Sequence, residues 1–208
     1  MTIALSLRVA VEDELSGAVL ARLISCFGYS IPQHNIHNAR GNARLKAGIG
    51  KFKQASRVIP HIVLTDLDHI SCAPALIADW QATHLPPALI LRVAVREVEA
   101  WLLADKTGIA EFLHIDANKI PHSPEALDNP KQALINLARK SSKRKLARDI
   151  VPAKGSSAPI GLLYNFHFIN FVNTRWNIDQ ARLAAPSLDK AIVRISSFLS
   201  TEMARTDV

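Results

Sequence analysis

Apolar and polar positions change their period partway along the chain. In the first half, short apolar runs alternate with patterns of helical spacing. Residues 3–11 (Ile-Ala-Leu-Ser-Leu-Arg-Val-Ala-Val) predict a buried strand ending at Glu12-Asp13-Glu14. Leu15, Val19, Leu20, Leu23 and Ile24 then recur at helical spacing, so a helix is expected from about Leu15 to Phe27. Gly28 is its stop. Tyr29 to His37 reads as a second, more polar strand. Residues 40–57 predict a loop and helix, 58–67 a strand, 73–83 a helix, and 88–95 a strand after the Pro86-Pro87 break. Arg96 to Asp105 reads as a strand running into an amphipathic helix. This alternation predicts an α/β fold, a mostly parallel sheet with flanking helices.

After residue 106 the strand pattern disappears. Helical pieces are expected at about 107–114, 131–140, 143–149, 160–173 and 187–202, separated by proline-rich joints. The organisation expected is therefore a core over residues 1–106 and a C-terminal helical extension over 107–208 packed on it.

Composition narrows the class. A hydrophobic fraction of 49% supports a sizeable core. The net charge of +7 favours an anionic partner, nucleic acid before membrane. No apolar run is long enough to cross a bilayer, and the N-terminus lacks a basic region ahead of its apolar run. A cytoplasmic protein with no membrane partner is expected. Cys26 and Cys72 form no CxxC pair and read as small core residues in a reduced compartment.

The chemistry is expected at Ile62-Val-Leu-Thr-Asp66-Leu-Asp68-His69, an apolar run that ends in two aspartates. Strand alternation would turn Asp66 and Asp68 to one side, at the carboxyl end where open α/β sheets bind ligands. Close carboxylates call for a cation or a shared proton, and Mg²⁺ or Mn²⁺ suits oxygen donors. Glu12 ends the first strand and would meet them at the same sheet edge. Glu97 and Glu99 follow a later strand and are further metal candidates. On a strand they would share a side, and on a helix they would diverge. Their bland alternative is a helix N-terminus.

Basic residues supply candidates for a nucleic-acid surface. Residues 40–57 carry Arg40, Arg44, Lys46, Lys51, Lys53 and Arg57 with no acidic residue. The Gly48-Ile-Gly50-Lys51 piece fails as a Walker A loop because Phe52 replaces its Ser or Thr. Lys143, Arg144 and Lys145 lie in the densest basic run, and Lys131 opens a helix after Asn129-Pro130. Solvated helix faces account for such runs equally well. The aromatic residues Trp80, Trp101, Trp176, Phe166, Phe168 and Phe171 fit core packing better than base stacking.

A glutamate after an N-terminal strand, followed by a later strand ending Asp-x-Asp, resembles the TOPRIM layout. The phrases Val11-Glu12-Asp13-Glu14, Leu64-Thr-Asp66-Leu-Asp68 and Arg96-Glu97-Val-Glu99-Ala-Trp101 look like an uncharacterised TOPRIM-like family. Asn129-Pro130-Lys131 and Gly161-Leu-Leu-Tyr164-Asn165 extend the likeness. That family is distantly similar to the nuclease domains of overcoming-lysogenization-defect (OLD) phage-defence proteins. Asp13 stands where TOPRIM motifs usually carry Gly, and the second motif glutamate has no clear match. The resemblance implies a metal-dependent nuclease acting on DNA or RNA. Glu12, Asp66 and Asp68 would be catalytic, and those three with Glu97 and Glu99 would hold Mg²⁺ or Mn²⁺. Glu12 would be a ligand or a general acid or base. The partners it implies are nucleic acid, an ATPase protein supplied in trans, and a second copy of the chain in a homodimer. The competing reading is a TOPRIM-like binding protein without catalysis. A phosphatase with an Asp nucleophile is a third class, but such enzymes carry Asp-x-Asp on their first strand.

Overall fold

The computed structural model describes residues 3, 4 and 6–206. Its centre is a four-stranded, all-parallel sheet in the order β4-β2-β5-β6. The strands are β2 (Arg8–Val11), β4 (Ile36–Asn38), β5 (His61–Asp66) and β6 (Leu89–Ala94). A second small sheet pairs β1 (Ile3–Ala4) with β3 (Tyr29–Ser30), also in parallel. The α/β class, the parallel sheet with flanking helices and the C-terminal helical extension are those expected from the sequence.

Each side of the sheet has its own apolar layer, set by strand alternation. Val9, Val11, Ile62, Leu64 and Ile90 pack on one face against α1 (Glu14–Ser25), α4 (Val98–Ala104) and the C-terminal helices. Ala10, Val63, Leu89, Leu91 and Val93 pack on the other. There they meet α2 (Asn42–Ala55) through Leu45 and Ile49, and α3 (Ala73–Asp79) through Leu76. With both faces covered, all six residues of β5 are buried, which is why its centre, Ile62 to Leu64, is apolar on both sides. Each fully buried aliphatic side chain there contributes about 1.5–3 kcal/mol.

The remaining helices are α5 (Lys106–Leu113), α6 (Pro130–Ala138), α7 (Arg144–Ile150), α8 (Tyr164–Thr174), α9 (Ile178–Ala184) and α10 (Pro186–Thr206). Their buried residues, Phe168, Phe171, Trp176 and Phe198 among them, continue the core that begins on the sheet. No strand occurs among the described residues after Ala94.

Several expectations need correction. The strand expected at 3–11 is divided into β1 and β2, and its Leu5 lies outside the described residues. The strand expected at 29–37 is broken by Pro32, whose missing N–H cannot join a ladder, and by a 3₁₀ turn at Gln33–Asn35. The segment before α4 is not a strand. Helix α9 lay hidden in a short pattern of seven residues. Gly48 to Lys51 lies inside α2, so no phosphate loop exists there. Both cysteines are exposed, Cys26 at the C-cap of α1 and Cys72 at the N-cap of α3, because helix ends turn toward solvent. Phe166 is 64% exposed, on the outer side of α8, while the other five aromatics named above are buried.

Candidate active site

The carboxyl ends of β2 and β5 lie side by side, with Val11 paired to Leu64. That pairing brings Glu12, the first residue past β2, beside the end of β5. One oxygen, Glu12 Oε1, accepts from three donors: the Thr65 hydroxyl, Asp66 N at 2.8 Å and Asn42 Nδ2 at 3.2 Å. Asn42 also donates to Thr65 Oγ1 at 3.3 Å. Burial raises the pKa of Glu12 against the pull of these bonds, and the charge of Asp68 raises it further.

Asp66 is the last residue of β5 and is 6% exposed. Its Oδ1 accepts from Val98 N at 3.0 Å, so it satisfies an otherwise orphaned donor at the start of α4. Its pKa is raised well above the ordinary value by burial, then by the charges of Glu99 and Glu12. Asp68 is past the strand, in the left-handed region at φ 49°. Strand alternation therefore stops at Asp66, and Asp68 is placed by its turn. Arg96 Nη1 holds that turn through the carbonyls of Asp68 at 3.0 Å and Ile70 at 2.7 Å. His69 beside it is exposed.

Glu97 and Glu99 belong to a helix start, yet they converge. Glu97 is the N-cap of α4 with extended backbone, so its side chain leaves in a different direction from that of a helical residue. Both carboxylates reach Lys131 Nζ, Glu97 Oε1 at 3.6 Å and Glu99 Oε1 at 3.4 Å. Lys131 N also donates to Glu97 Oε2 at 2.8 Å, which ties α6 to α4. The Tyr164 hydroxyl donates to Glu99 Oε1 at 3.0 Å, while Glu99 Oε2 is buried without a partner.

The electrostatics follow exposure. Glu99 is almost fully buried, and burial lifts its pKa to about 7 despite the Lys131 charge. Lys131 is about a third exposed, so for it the charges of Glu99, Glu97 and Asp66 outweigh burial and raise its pKa. Tyr164 is raised by burial and then by Glu99. Asp13 contributes to the same field, but its carboxylate is committed to the N-cap of α1, accepting from Ser16 N at 2.8 Å.

The donor set is all oxygen, and one buried carboxylate oxygen has no partner, which suits a hard divalent cation. As the side chains stand, no three His, Cys, Asp or Glu groups among the described residues are close enough to hold one ion. The Lys131 ammonium supplies the counter-charge instead.

The basic candidates fall in two regions. Arg40, Arg44 and Lys51 are exposed around α2, whereas Lys46 pairs with Asp79 at 2.8 Å. Lys143, Arg144 and Lys145 are exposed at the start of α7. Beside them a cavity of about 940 Å³ is lined by Arg139, Lys140, Arg144, Arg148 and Lys154, with no acidic residue. Lys131, first a nucleic-acid candidate, is the cation within the carboxylates.

Sequence reasoning missed Asn42, Thr65 and the Tyr164 hydroxyl as parts of the site. Tyr164 and Thr65 left a signal, in the Gly161-Leu-Leu-Tyr164-Asn165 and Leu64-Thr-Asp66-Leu-Asp68 phrases, whereas Asn42 left none.

Residues 12–158 match the family described as a domain of unknown function, DUF4276. No curated protein matches the chain. Among solved structures, the chain is similar to the C-terminal region of the Burkholderia pseudomallei OLD protein. Identity is 14% and the TM-score 0.42, over 90% of this chain and 98% of that one. No described helix is long and apolar enough to cross a membrane.

Proposed function

Because the chain belongs to the DUF4276 family, a domain of unknown function, its chemistry has to be read from its own residues, and we propose that it is a metal-dependent nuclease hydrolysing DNA or RNA phosphodiesters. The observation that carries this reading is the gathering of Glu12, Asp66, Glu97, Glu99 and Lys131 at the carboxyl edge of a parallel sheet. Raised carboxyl pKa values and an unpartnered buried oxygen mark a site short of positive charge. The TOPRIM likeness of the sequence supports the same chemistry.

Asp66, Glu12 and Glu99 would hold Mg²⁺ or Mn²⁺, with Asp68 and Glu97 at its margin. Such an ion neutralises charge on phosphoryl oxygens and lowers the pKa of a bound water. Thr65 and Asn42 orient Glu12 for ligation or for proton transfer. Tyr164 fixes Glu99 through one oxygen and leaves the other for the cation. Lys131, beside those carboxylates, would contact a phosphate oxygen of the substrate. The exposed cations of α2 and α7 carry the nucleic-acid backbone. In a cell this reading places the protein in phage defence, alone or with an ATPase supplied in trans.

The test is cleavage of plasmid DNA and of tRNA with Mg²⁺ or Mn²⁺, wild type against Asp66→Ala. Equal activity in both proteins, or none with any metal, defeats the reading.

A second reading, a binding protein without catalysis, is favoured by the lack of three converging ligands among the described residues. Calorimetry with Mn²⁺ separates the two. Binding that disappears in Asp66→Ala supports the nuclease, and no binding supports the second reading.

A further inference from the structure

The amino-terminal edge of the sheet, opposite the carboxylates, holds a separate cavity of about 570 Å³. Ligand pockets commonly measure about 300–1,000 Å³. It opens between the starts of β2 and β5, where Arg8 pairs with His61, and the last turn of α2. The charged and titratable side chains lining it are Arg8, Lys51, His34, His37 and His61, and none is acidic.

Its walls combine rings with cations. The Phe52 ring lies 5.8 Å from His37, edge-on, and 6.1 Å from His61, tilted by 33°. Val58, which also lines the cavity, is 85% exposed. Arg8 Nη1 donates to the His34 carbonyl at 3.1 Å, which holds the guanidinium at the mouth. His61 Nδ1 is 2.6 Å from the Ile59 carbonyl and donates to it, so the proton is on Nδ1. Burial lowers the His61 pKa against the hydrogen bond to the Ile59 carbonyl, which raises it, and the Arg8 charge adds a smaller push downward. With the proton on Nδ1, the neutral ring offers Nε2 as an acceptor.

We propose that this cavity binds a nucleotide unit, with its phosphate on Arg8 and Lys51 and its base against Phe52. Two cations without an acid select an anion. A flat apolar ring selects a base, since bases stack on aromatic side chains. The Nε2 acceptor suits the amino group of a base. Inorganic phosphate would satisfy the cations but leave the ring and Val58 bare. The nucleotide comes either as a free monophosphate or as part of a single strand. No carboxylate of the proposed nuclease centre lines the cavity, although Lys51 belongs both to it and to the exposed cations of α2.

The experiment titrates adenosine monophosphate, a single-stranded tetranucleotide and inorganic phosphate into the full chain by calorimetry. The expected result is a dissociation constant below about 1 mM for the nucleotide ligands, and at least about tenfold weaker binding of inorganic phosphate. Binding of the monophosphate identifies a free nucleotide, and binding of the tetranucleotide alone identifies a strand. The double variant Arg8→Ala/Lys51→Ala weakens binding by about tenfold or more. Val58→Glu places a negative charge on the rim at a solvent-exposed position and weakens it without touching the core. Asp66→Asn leaves it unchanged. Binding of neither nucleotide, equal binding of inorganic phosphate, indifference to both rim variants, or loss in Asp66→Asn overturns the proposal.

Discussion

Lys131 Nζ stands 3.4 Å from Oε1 of Glu99, a side chain only 1% exposed. This contact joins the helical extension to the sheet edge, since Lys131 opens α6 and Glu99 lies in the first turn of α4. Removing one member of a buried pair normally costs about 3–5 kcal/mol, because it strands the other charge.

Lys131→Met should cost less than that. Glu99, with a pKa of about 7, can take a proton instead of remaining charged. The expected loss is about 1–3 kcal/mol near neutral pH, read from urea unfolding. It should shrink in mildly acidic buffer, where Glu99 is already neutral. A variant as stable as wild type in neutral buffer would show that the pair contributes nothing.

The same carboxyl sets a pH dependence in metal-free protein. Its folded pKa, about 7, lies above the ordinary value of 4.5, so the folded state holds a proton that the unfolded state releases. The contribution is complete below pH 4.5 and is lost as pH rises through about 7. Glu12 and Asp66, also raised, act with the same sign. Unfolding free energy in chelator should fall across this window by up to about 1.4 kcal/mol per pH unit for each proton involved. Glu99→Gln should flatten the slope. A stability that rises with pH there contradicts the assignment.

The period of the apolar pattern made the sheet and its order of elements legible, because β5 and most of β6 are buried and each has an apolar centre, Ile62 to Leu64 and Leu89 to Leu91. Glu12 and Asp66 were legible for the same reason: both stand where such runs end. What stayed hidden depends on contacts between distant segments. Thr65 reaches Glu12 across 53 positions, and Tyr164 reaches Glu99 across 65. The left-handed turn at Asp68 and the extended N-cap at Glu97 are local, yet no spacing rule encodes them. Strand alternation therefore does not set the direction of Asp68, and an extended N-cap at Glu97 is neither the strand nor the helix alternative. From the sequence Lys131 is expected to face a nucleic-acid phosphate, because its helix-start signal gives no distance to the carboxylates it meets.

Tyr164→Phe isolates the hydroxyl. The ring keeps its packing on Phe168, with centroids 4.7 Å apart, while Glu99 Oε1 loses its donor at 3.0 Å. Thermal or urea unfolding should register a loss of about 1–2 kcal/mol. Tyr164→Ala, which also empties core volume, should lose about 3–5 kcal/mol. Equal losses in both variants would mean that the hydroxyl carries the whole effect, and no loss in Tyr164→Phe would remove its role in holding Glu99.

The basic surface at α7 can be separated from the carboxylate site by salt. Lys143, Arg144 and Lys145 are exposed and adjoin the acid-free cavity lined by Arg139, Arg148 and Lys154. Each phosphate contact releases counterions, so affinity for duplex DNA falls with salt by about 0.9 log units per contact per decade. Changing all three residues to Ala should weaken binding of unrelated duplex sequences alike and make the salt slope shallower by about 2–3. Folding should be nearly untouched, since exposed substitutions usually stay within about 0.5 kcal/mol. An unchanged slope would leave these residues as a solvated helix face and turn attention to Arg40, Arg44 and Lys51 on the opposite face of the sheet.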